Sequence, residues 1–339
     1  MALIIDRRWE GPHGIGRFAH EVASRIPHQP LELSGKPLHP LDPLRLHRVL
    51  RKNAANTFFS PGFNPPFGRP CPFFFTIHDL IHLEVPEESG ALKRLFYEAL
   101  VRPALKQAEA IFTVSEFSKS RIAEWGKVPH ERIVVVGNGV SQSFAPEGDR
   151  WEGTDRPYFL YVGNHKPHKN TSGLLEAFGQ SGLQRKMDLL LTGFPTPELE
   201  VLVASLSLGQ SVRFLGLVDE PTLAALYRGT RALILPSWYE GFGLPLVEAM
   251  ASGAPVLSSN RSSLPEIGSD AVRYFDPGQP ESLVEGLRQF ETEGSSDPLR
   301  QKGLDQAKRF NWDQVATRIR VALETRWHQP SEGAPESTS

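Results

Sequence analysis

The sequence predicts an α/β protein with two domains of mostly parallel sheet, and three observations carry that expectation. The chain has 339 residues, and at about 100–200 residues per domain two domains are the default. Short runs rich in aliphatic and aromatic residues alternate with amphipathic runs, the pattern of parallel strands with helices on both faces. The alternation occurs twice, on either side of residues 141–157, "SQSFAPEGDRWEGTDRP", which are rich in Gly, Pro and acid and have no period. Two Rossmann-like domains in tandem follow, residues 1–145 and 146–310, with a cleft between them.

In the first half, strands are expected at 2–5, 57–59, 73–77, 110–114 and 132–136. Helices are expected at 16–26, 44–54, 91–108 and 116–125. Pro103 has no backbone donor and should kink or divide the third of these. In the second half, strands are expected at 158–162, 188–191, 212–215, 232–235, 255–258 and 272–275. Residues 311–327 read as a long amphipathic helix, and the polar, Pro- and Ser-rich residues 328–339 as a disordered tail.

Composition narrows the function. Apolar residues make up 40% and charged residues 22%, with a net charge of −2, so nothing points to a nucleic-acid partner. Residues 1–145 carry 18 Lys/Arg against 14 Asp/Glu, a mildly basic half that suits a phosphorylated substrate or an anionic lipid surface as well as ordinary surface variation. Cys71 is the single cysteine, in keeping with a reducing compartment. The apolar run before Asp6 is too short for a signal peptide, and no uncharged apolar run nears the roughly 18 residues of a membrane span. A cytoplasmic protein that at most touches a membrane surface is expected. The basic segment 45–52, "RLHRVLRK", suits such a contact or a solvated helix face.

Ligands of open parallel sheets bind at the carboxyl ends of the strands, so the loops that follow strands carry the chemistry. In "PSWYEGFGLPLVEAMASG" (236–253), Glu240 lies on a loop and Glu248 on the helix that Pro245 opens. Gly241 and Gly243 let the backbone approach a ligand, and the helix start offers free N–H groups to an anion. Carboxylates for hydroxyls and N–H groups for phosphate suit a polyol phosphate, although spacing alone is equally met by two solvated acids. In "YVGNHKPHKNTSGLLEAF" (161–178), Lys166 and Lys169 precede a helix start that Asn170, Thr171 or Ser172 can cap, a setting for a diphosphate or for two surface lysines. The loop "GPHGIGRFA" (11–19) contains the dinucleotide pattern G-x-G-x-x-A through Gly14 and Gly16, but Glu32 is a poor match to the acid that pattern needs, so the loop reads rather as one that lets a helix N-terminus approach phosphate or acceptor. His78 and Asp79 end the strand "FFFTI"; His78 suits hydrogen-bond donation to a sugar hydroxyl or acid/base work, and equally a buried structural histidine, while His82 reads as structural. Ser263 and Glu266 form a capping-box pattern. No Asp-x-Asp triplet is present, and His165 with His168 makes a poor metal pair, so no metal or cofactor is expected.

The segment "SWYEGFGLPLVEAMASGAPVLSS" resembles the nucleotide-sugar signature of glycosyltransferase family 4, retaining enzymes of the GT-B fold, with its E-x7-E pattern as Glu240 and Glu248. "GIGRF", "FTIHDL", "FTVSEFSKSRI", "VVGNGVSQSF", "YVGNHKPHKN", "VRFLGLV" and "SSLPEIGSDAV" are family-like and stand in the expected order, spanning about residues 11–320. The resemblance implies that Glu240 holds donor-sugar hydroxyls, Glu248 the ribose and Lys169 the diphosphate. It also implies that backbone groups of Gly241, Phe242, Gly243 and Leu244 meet sugar and phosphate. His78 would sit near the donor sugar, Gly16 by the phosphate, and backbone near Leu217 by the base, while helix 311–327 would cross back onto the first domain. Many relatives carry an arginine where this chain has Asn164; Lys166 or His165 would then supply the missing charge, or the diphosphate would have one cation fewer.

The implied reaction is metal-free transfer of a hexosyl unit, with retention, from a nucleotide sugar to a glycan or a lipid-linked oligosaccharide acceptor. The look of "GIGRF" with "FTIHDL" is similar to bacterial mannosyl- and deoxyhexosyltransferases of surface-polysaccharide assembly and favours a GDP-sugar. A nicotinamide-dependent oxidoreductase and a non-catalytic nucleotide-sugar-binding module are the alternatives.

Overall fold

The computed structural model describes residues 3–52, 57–293 and 298–327. The expected tail 328–339 and the last two residues of the helix expected at 44–54 lie outside them. The first half carries strands β1 (Leu3–Ile5), β2 (Gln29–Pro30), β3 (Thr57–Ser60), β4 (Phe73–Thr76), β5 (Ala110–Thr113) and β6 (Ile133–Val135). They form a parallel sheet in the order β2-β1-β3-β4-β5-β6. The second half carries β7 (Tyr158–Tyr161), β8 (Asp188–Leu191), β9 (Val212–Phe214), β10 (Ala232–Leu235), β11 (Val256–Ser259) and β12 (Arg273–Phe275), parallel in the order β12-β11-β10-β7-β8-β9. Central strands read as unbroken apolar runs because helices cover both faces: Phe58, Phe59, Phe73, Phe74, Phe75 and Phe112 are all fully buried.

The helices of the first half are α1 (Gly14–Ala23), α2 (Asp42–Lys52), α3 (Ile81–Glu84), α4 (Ala91–Phe96), α5 (Arg102–Gln107) and α6 (Glu116–Gly126). Those of the second are α7 (Thr171–Ser181), α8 (Pro197–Ser205), α9 (Glu220–Gly229), α10 (Leu244–Ala251), α11 (Leu264–Gly268), α12 (Pro280–Glu293), α13 (Leu299–Ala307) and α14 (Trp312–Trp327). The helix expected at 91–108 is divided, as Pro103 requires, but the break is a π turn over Tyr97–Val101 between α4 and α5. Lacking an N–H, Pro103 cannot continue the i to i−4 ladder, and the wider turn absorbs the mismatch. Strand β2 and helix α3 were not foreseen: two and four residues are too short to show a period.

Helix α14 belongs by sequence to the end of the chain and by packing to the first sheet. Its Trp312, Val315, Ala316, Ile319 and Leu323 share one apolar cluster with Leu3, Ile5, Phe18, Val22 and Phe112. The chain passes close enough there to need a glycine: a methyl group on Gly139 would stand 2.4 Å from the Trp312 backbone nitrogen. The segment between the halves is tied to α9, where Arg228 Nε donates to Asp149 O (2.6 Å) and the Trp151 N–H donates to Ala225 O (3.1 Å). Trp312→Ala should destabilise by about 3–5 kcal/mol, the cost of a large buried truncation, read as a lower urea midpoint.

Candidate functional site

A cavity of about 700 Å³ lies where the carboxyl ends of the two sheets meet. That volume falls in the usual range for small-ligand sites. Its walls come from the segments after β1, β3, β4, β5 and β6 on one side and after β7, β9 and β10 on the other. A parallel sheet sends every such loop to one edge, so residues more than 200 positions apart face each other.

Glu240 stands on the loop after β10 and is nearly buried. Both its carboxylate oxygens accept from Lys169 Nζ, at 2.7 and 2.8 Å, and Oε1 also accepts from Ser237 Oγ at 2.8 Å. Ser262 Oγ accepts its backbone N–H and Ser263 Oγ donates to its carbonyl. Lys169 ends a 3-10 turn, Pro167–Lys169, just before α7. Asn170 at the start of α7 does not cap it with its side chain; left-handed at φ 54°, it donates instead to Pro236 O. Two of the three Lys169 donors are thus engaged and one is left for a ligand.

Glu248 projects from α10, whose first residue follows Gly243 at φ +90°. That left-handed turn is where glycine is needed, and it swings the helix start towards the cavity. Glu248 is buried, which pushes its carboxyl above the usual range, opposed by Arg17 and Tyr227. Arg17 Nη1 donates to Glu248 Oε1 at 2.5 Å and Tyr227 Oη donates to Oε2 at 3.0 Å. Arg17 Nη2 reaches Glu220 Oε2 at 3.2 Å. Arg17 belongs to α1, so the ion pair crosses between the halves.

His78 is half-buried at the cavity wall and held down to about 4, chiefly by loss of solvation. Its Nε2 lies 3.0 Å from the Pro61 carbonyl, which can only accept, so the ring proton sits on Nε2 and Nδ1 is an acceptor. In this arrangement the His78 donor is engaged by backbone rather than free for a sugar. Burial pushes Asp79 up to about 6. Its Oδ1 accepts from the Ile81 N–H at 3.0 Å, and a methyl on Gly241 would stand 2.7 Å from its Oδ2.

Asn164, Lys169, His78, Glu240, Gly241, Phe242, Gly243, Leu244 and Glu248 all line the cavity. Gly16 and Leu217 do not. Gly16 is buried in the first turn of α1, its N–H donating to His13 Nδ1 at 2.9 Å, and a methyl there would stand 2.3 Å from Gly11 O. The Gly16 amide is thus engaged, while Gly11 to Ile15 of the same loop, at the start of α1, line the cavity. Leu217 is 86% exposed; Val218 and Leu223 line the cavity in its place. Neither Lys166 nor His165 fills the place opened by Asn164: Lys166 pairs with Glu88 at 2.6 Å and His165 stacks on Tyr161. Among the lining residues the arginine and lysine side chains are Arg17 and Lys169. Arg17, within "GIGRF", and Asn138, within "VVGNGVSQSF", line the cavity without a signal in the sequence that singles them out, and the buried Asn138 Oδ1 has no hydrogen-bond partner. His82, expected to be structural, lines the cavity with Phe63 and Tyr97. The capping box is not formed: Ser263 makes no cap bond, and Glu266 reaches α6 instead.

With a folded pKa of about 4 against an ordinary 6.5, His78 favours folding fully above pH 6.5, and that share is lost as pH falls towards 4. Imidazole NMR should show the neutral Nε2–H form persisting to about pH 5. Asp79, raised to about 6, acts in the opposite sense: its share is complete below the ordinary carboxyl pKa and lost as pH rises through 6. Asp79→Asn should therefore stabilise by on the order of 2–3 kcal/mol at pH 8 and little at pH 4, read from denaturation midpoints.

Comparison with known proteins agrees with this geometry. The family model "Glycosyltransferase Family 4" matches residues 4–144, and "Glycosyl transferases group 1" matches residues 149–310. O-antigen chain mannosyltransferase B of Escherichia coli is 33% identical over 260 residues, 71% of this chain and 67% of that protein. O-antigen chain mannosyltransferase RfbU of Salmonella typhimurium is 29% identical over 64% of this chain and 60% of its own length, so the chain spans under two thirds of that relative. In structure, HepE of Anabaena, solved with UDP and glucose, superposes with a TM-score of 0.75 at 17% identity, covering 96% of this chain and 99% of that one. No helix among the described residues is long and apolar enough to cross a membrane. Two parallel sheets facing one cleft, both family models and the aligned mannosyltransferase agree, and the chain belongs to glycosyltransferase family 4, with the GT-B fold.

Proposed function

We propose that the protein is a retaining, metal-independent hexosyltransferase that moves mannose, or a deoxyhexose, from a GDP-sugar to a hydroxyl of a glycan or lipid-linked oligosaccharide. One observation carries the reading: two carboxylates, Glu240 and Glu248, and two cations, Lys169 and Arg17, converge on a single cavity between the sheets. A nucleotide sugar has the matching form, an anionic diphosphate with a polyol at each end. Glu240 receives sugar hydroxyls and Glu248 the ribose. Lys169 and the remaining Arg17 donors hold the diphosphate, so Arg17 takes the place that Asn164 leaves empty. His78 accepts a hydrogen bond from the donor sugar through Nδ1. The Asn138 amide is placed for a further polar contact.

In the reaction the bond between the anomeric carbon and the diphosphate oxygen breaks as the acceptor oxygen bonds to the same face. The acceptor proton passes to the leaving phosphate, and nucleoside diphosphate is released. Charge builds on the leaving group, where preorganised donors are worth about 10²–10³ each in rate. The mannosyl choice is supported by the O-antigen mannosyltransferases among the relatives. Contact of the first half with an anionic membrane is supported by α4, which exposes Leu92 (83%) and Leu95 (62%) beside Lys93 and Arg94. Failure to co-sediment with anionic vesicles would remove that part.

Lys169→Ala and Arg17→Ala should each lower kcat by about a hundredfold or more; near-normal turnover in either variant would take that residue out of the mechanism. In a thermal-shift panel of GDP, UDP, ADP and dTDP, GDP should give the largest shift, since stabilisation grows with the logarithm of saturation; a larger shift with UDP would overturn the GDP assignment. NMR of the product should show the anomeric configuration of the donor, and a chelator should leave the rate unchanged. Absence of nucleoside diphosphate release with every donor and acceptor would leave a binding module instead.

A further inference from the structure

The donor loop is gripped from the other half of the molecule by the start of α6. Ser115 Oγ donates to Gly241 O at 2.7 Å, and Ser118 Oγ reaches the same carbonyl at 3.3 Å. Ser115 is also the N-cap of α6, accepting the Ser118 N–H at 3.1 Å. The next two amides of that helix are satisfied from across the cleft: the Glu116 N–H donates to Glu266 Oε1 at 2.8 Å and the Phe117 N–H to Oε2 at 3.0 Å. A helix start has free N–H groups and partial positive charge, so a carboxylate is its natural partner. Glu266 is not free to wander, because Ser262 and Ser263, just ahead of it, hold both backbone groups of Glu240. Phe117 and Tyr239 add a ring contact at 5.6 Å between centroids.

We infer that Glu266 is a positioning residue: by capping α6 it clasps the two halves together and sets Glu240 and Gly241 against the first half in the closed, reactive arrangement. It touches neither donor nor acceptor. It acts through Ser262–Ser263 on Glu240 and through Ser115 on Gly241. The proposal rests on the donor-loop reading above, since closure matters for rate only if that loop carries the donor. Closing contacts of this kind govern turnover more than the affinity of the nucleotide for the second half alone.

The test uses two variants from opposite sides of the clasp. Glu266→Ala removes the acceptor. Glu116→Pro removes one donor N–H at the first position of α6, where proline is tolerated, and Ser115 at φ −151° and ψ 159° already has the extended backbone that a following proline demands. Closure is read by energy transfer between dyes on introduced cysteines, one per half; Cys71 is buried and does not compete. Glu266→Ala should shift the nucleotide-bound protein towards the open form and lower kcat about tenfold to a hundredfold, the range for hydrogen bonds to a charged group, with GDP affinity changed by less than about threefold. Glu266→Gln, which keeps one acceptor, should recover part of the loss. The double variant should be no worse than Glu266→Ala, because both remove one contact.

Unchanged energy transfer and kcat in Glu266→Ala would overturn the inference, and so would losses that multiply in the double variant. If Glu266→Ala does not fold, Glu116→Pro alone decides by the same two readings. If the wild type turns over no donor, the reaction proposed above fails, while the energy-transfer change still reports whether Glu266 closes the cleft.

Discussion

Glu248 is a carboxylate buried inside a protein, and such a group costs several kcal/mol unless a cation and hydrogen bonds meet it. The cation that meets it, Arg17, is 231 residues away in sequence and belongs to the other sheet. This requirement ties the two halves. Helix α1 must bring its first turn to the cleft, which it does by packing Gly16 against the Gly11 backbone and by the His13 cap. Helix α10 must start steeply, which Gly243 allows through its left-handed turn. Replacing either glycine would leave the pair in the same sequence but not in the same place.

The second ion pair of the cavity, Lys169 with Glu240, lies within the second half. Both pairs are partly shielded from water, so their fields are stronger than those of surface pairs. Each cation retains unused donors, and each carboxylate is steadied by a hydroxyl, Tyr227 for Glu248 and Ser237 for Glu240. The cavity therefore presents alternating charge already in place. That suits the proposed donor, whose diphosphate needs positive charge between two groups of hydroxyls.

Most of the architecture was legible. Long runs such as "FFFT" and "DLLL" are buried on both faces, so their apolar character is unbroken and the strand assignment is robust. Position after a strand also pointed to loops that line the cavity, including those of Glu240, Lys169 and His78. What was not legible falls into two kinds. Short elements such as Gln29–Pro30 and Ile81–Glu84 have too few residues to show a period. Partners were the other kind: the S-x-x-E spacing at Ser263 and Glu266 satisfies a local rule, but the structure gives both side chains remote partners. His78 shows the same limit, since its donor is committed to a backbone carbonyl 17 residues away.

The sequence by itself determined that two parallel-sheet halves form, where their strands lie and which loops meet at the cleft. Hydrophobic period and turn chemistry are local properties, written in neighbouring residues. Only the tertiary structure decided that Arg17 is the second cation of the site, that Lys166 is bound elsewhere by Glu88, and that Glu266 caps a helix of the opposite half. An ion pair or a cap is decided by which groups are brought within about 3 Å, and that distance depends on how the two halves dock rather than on the spacing of residues along either one.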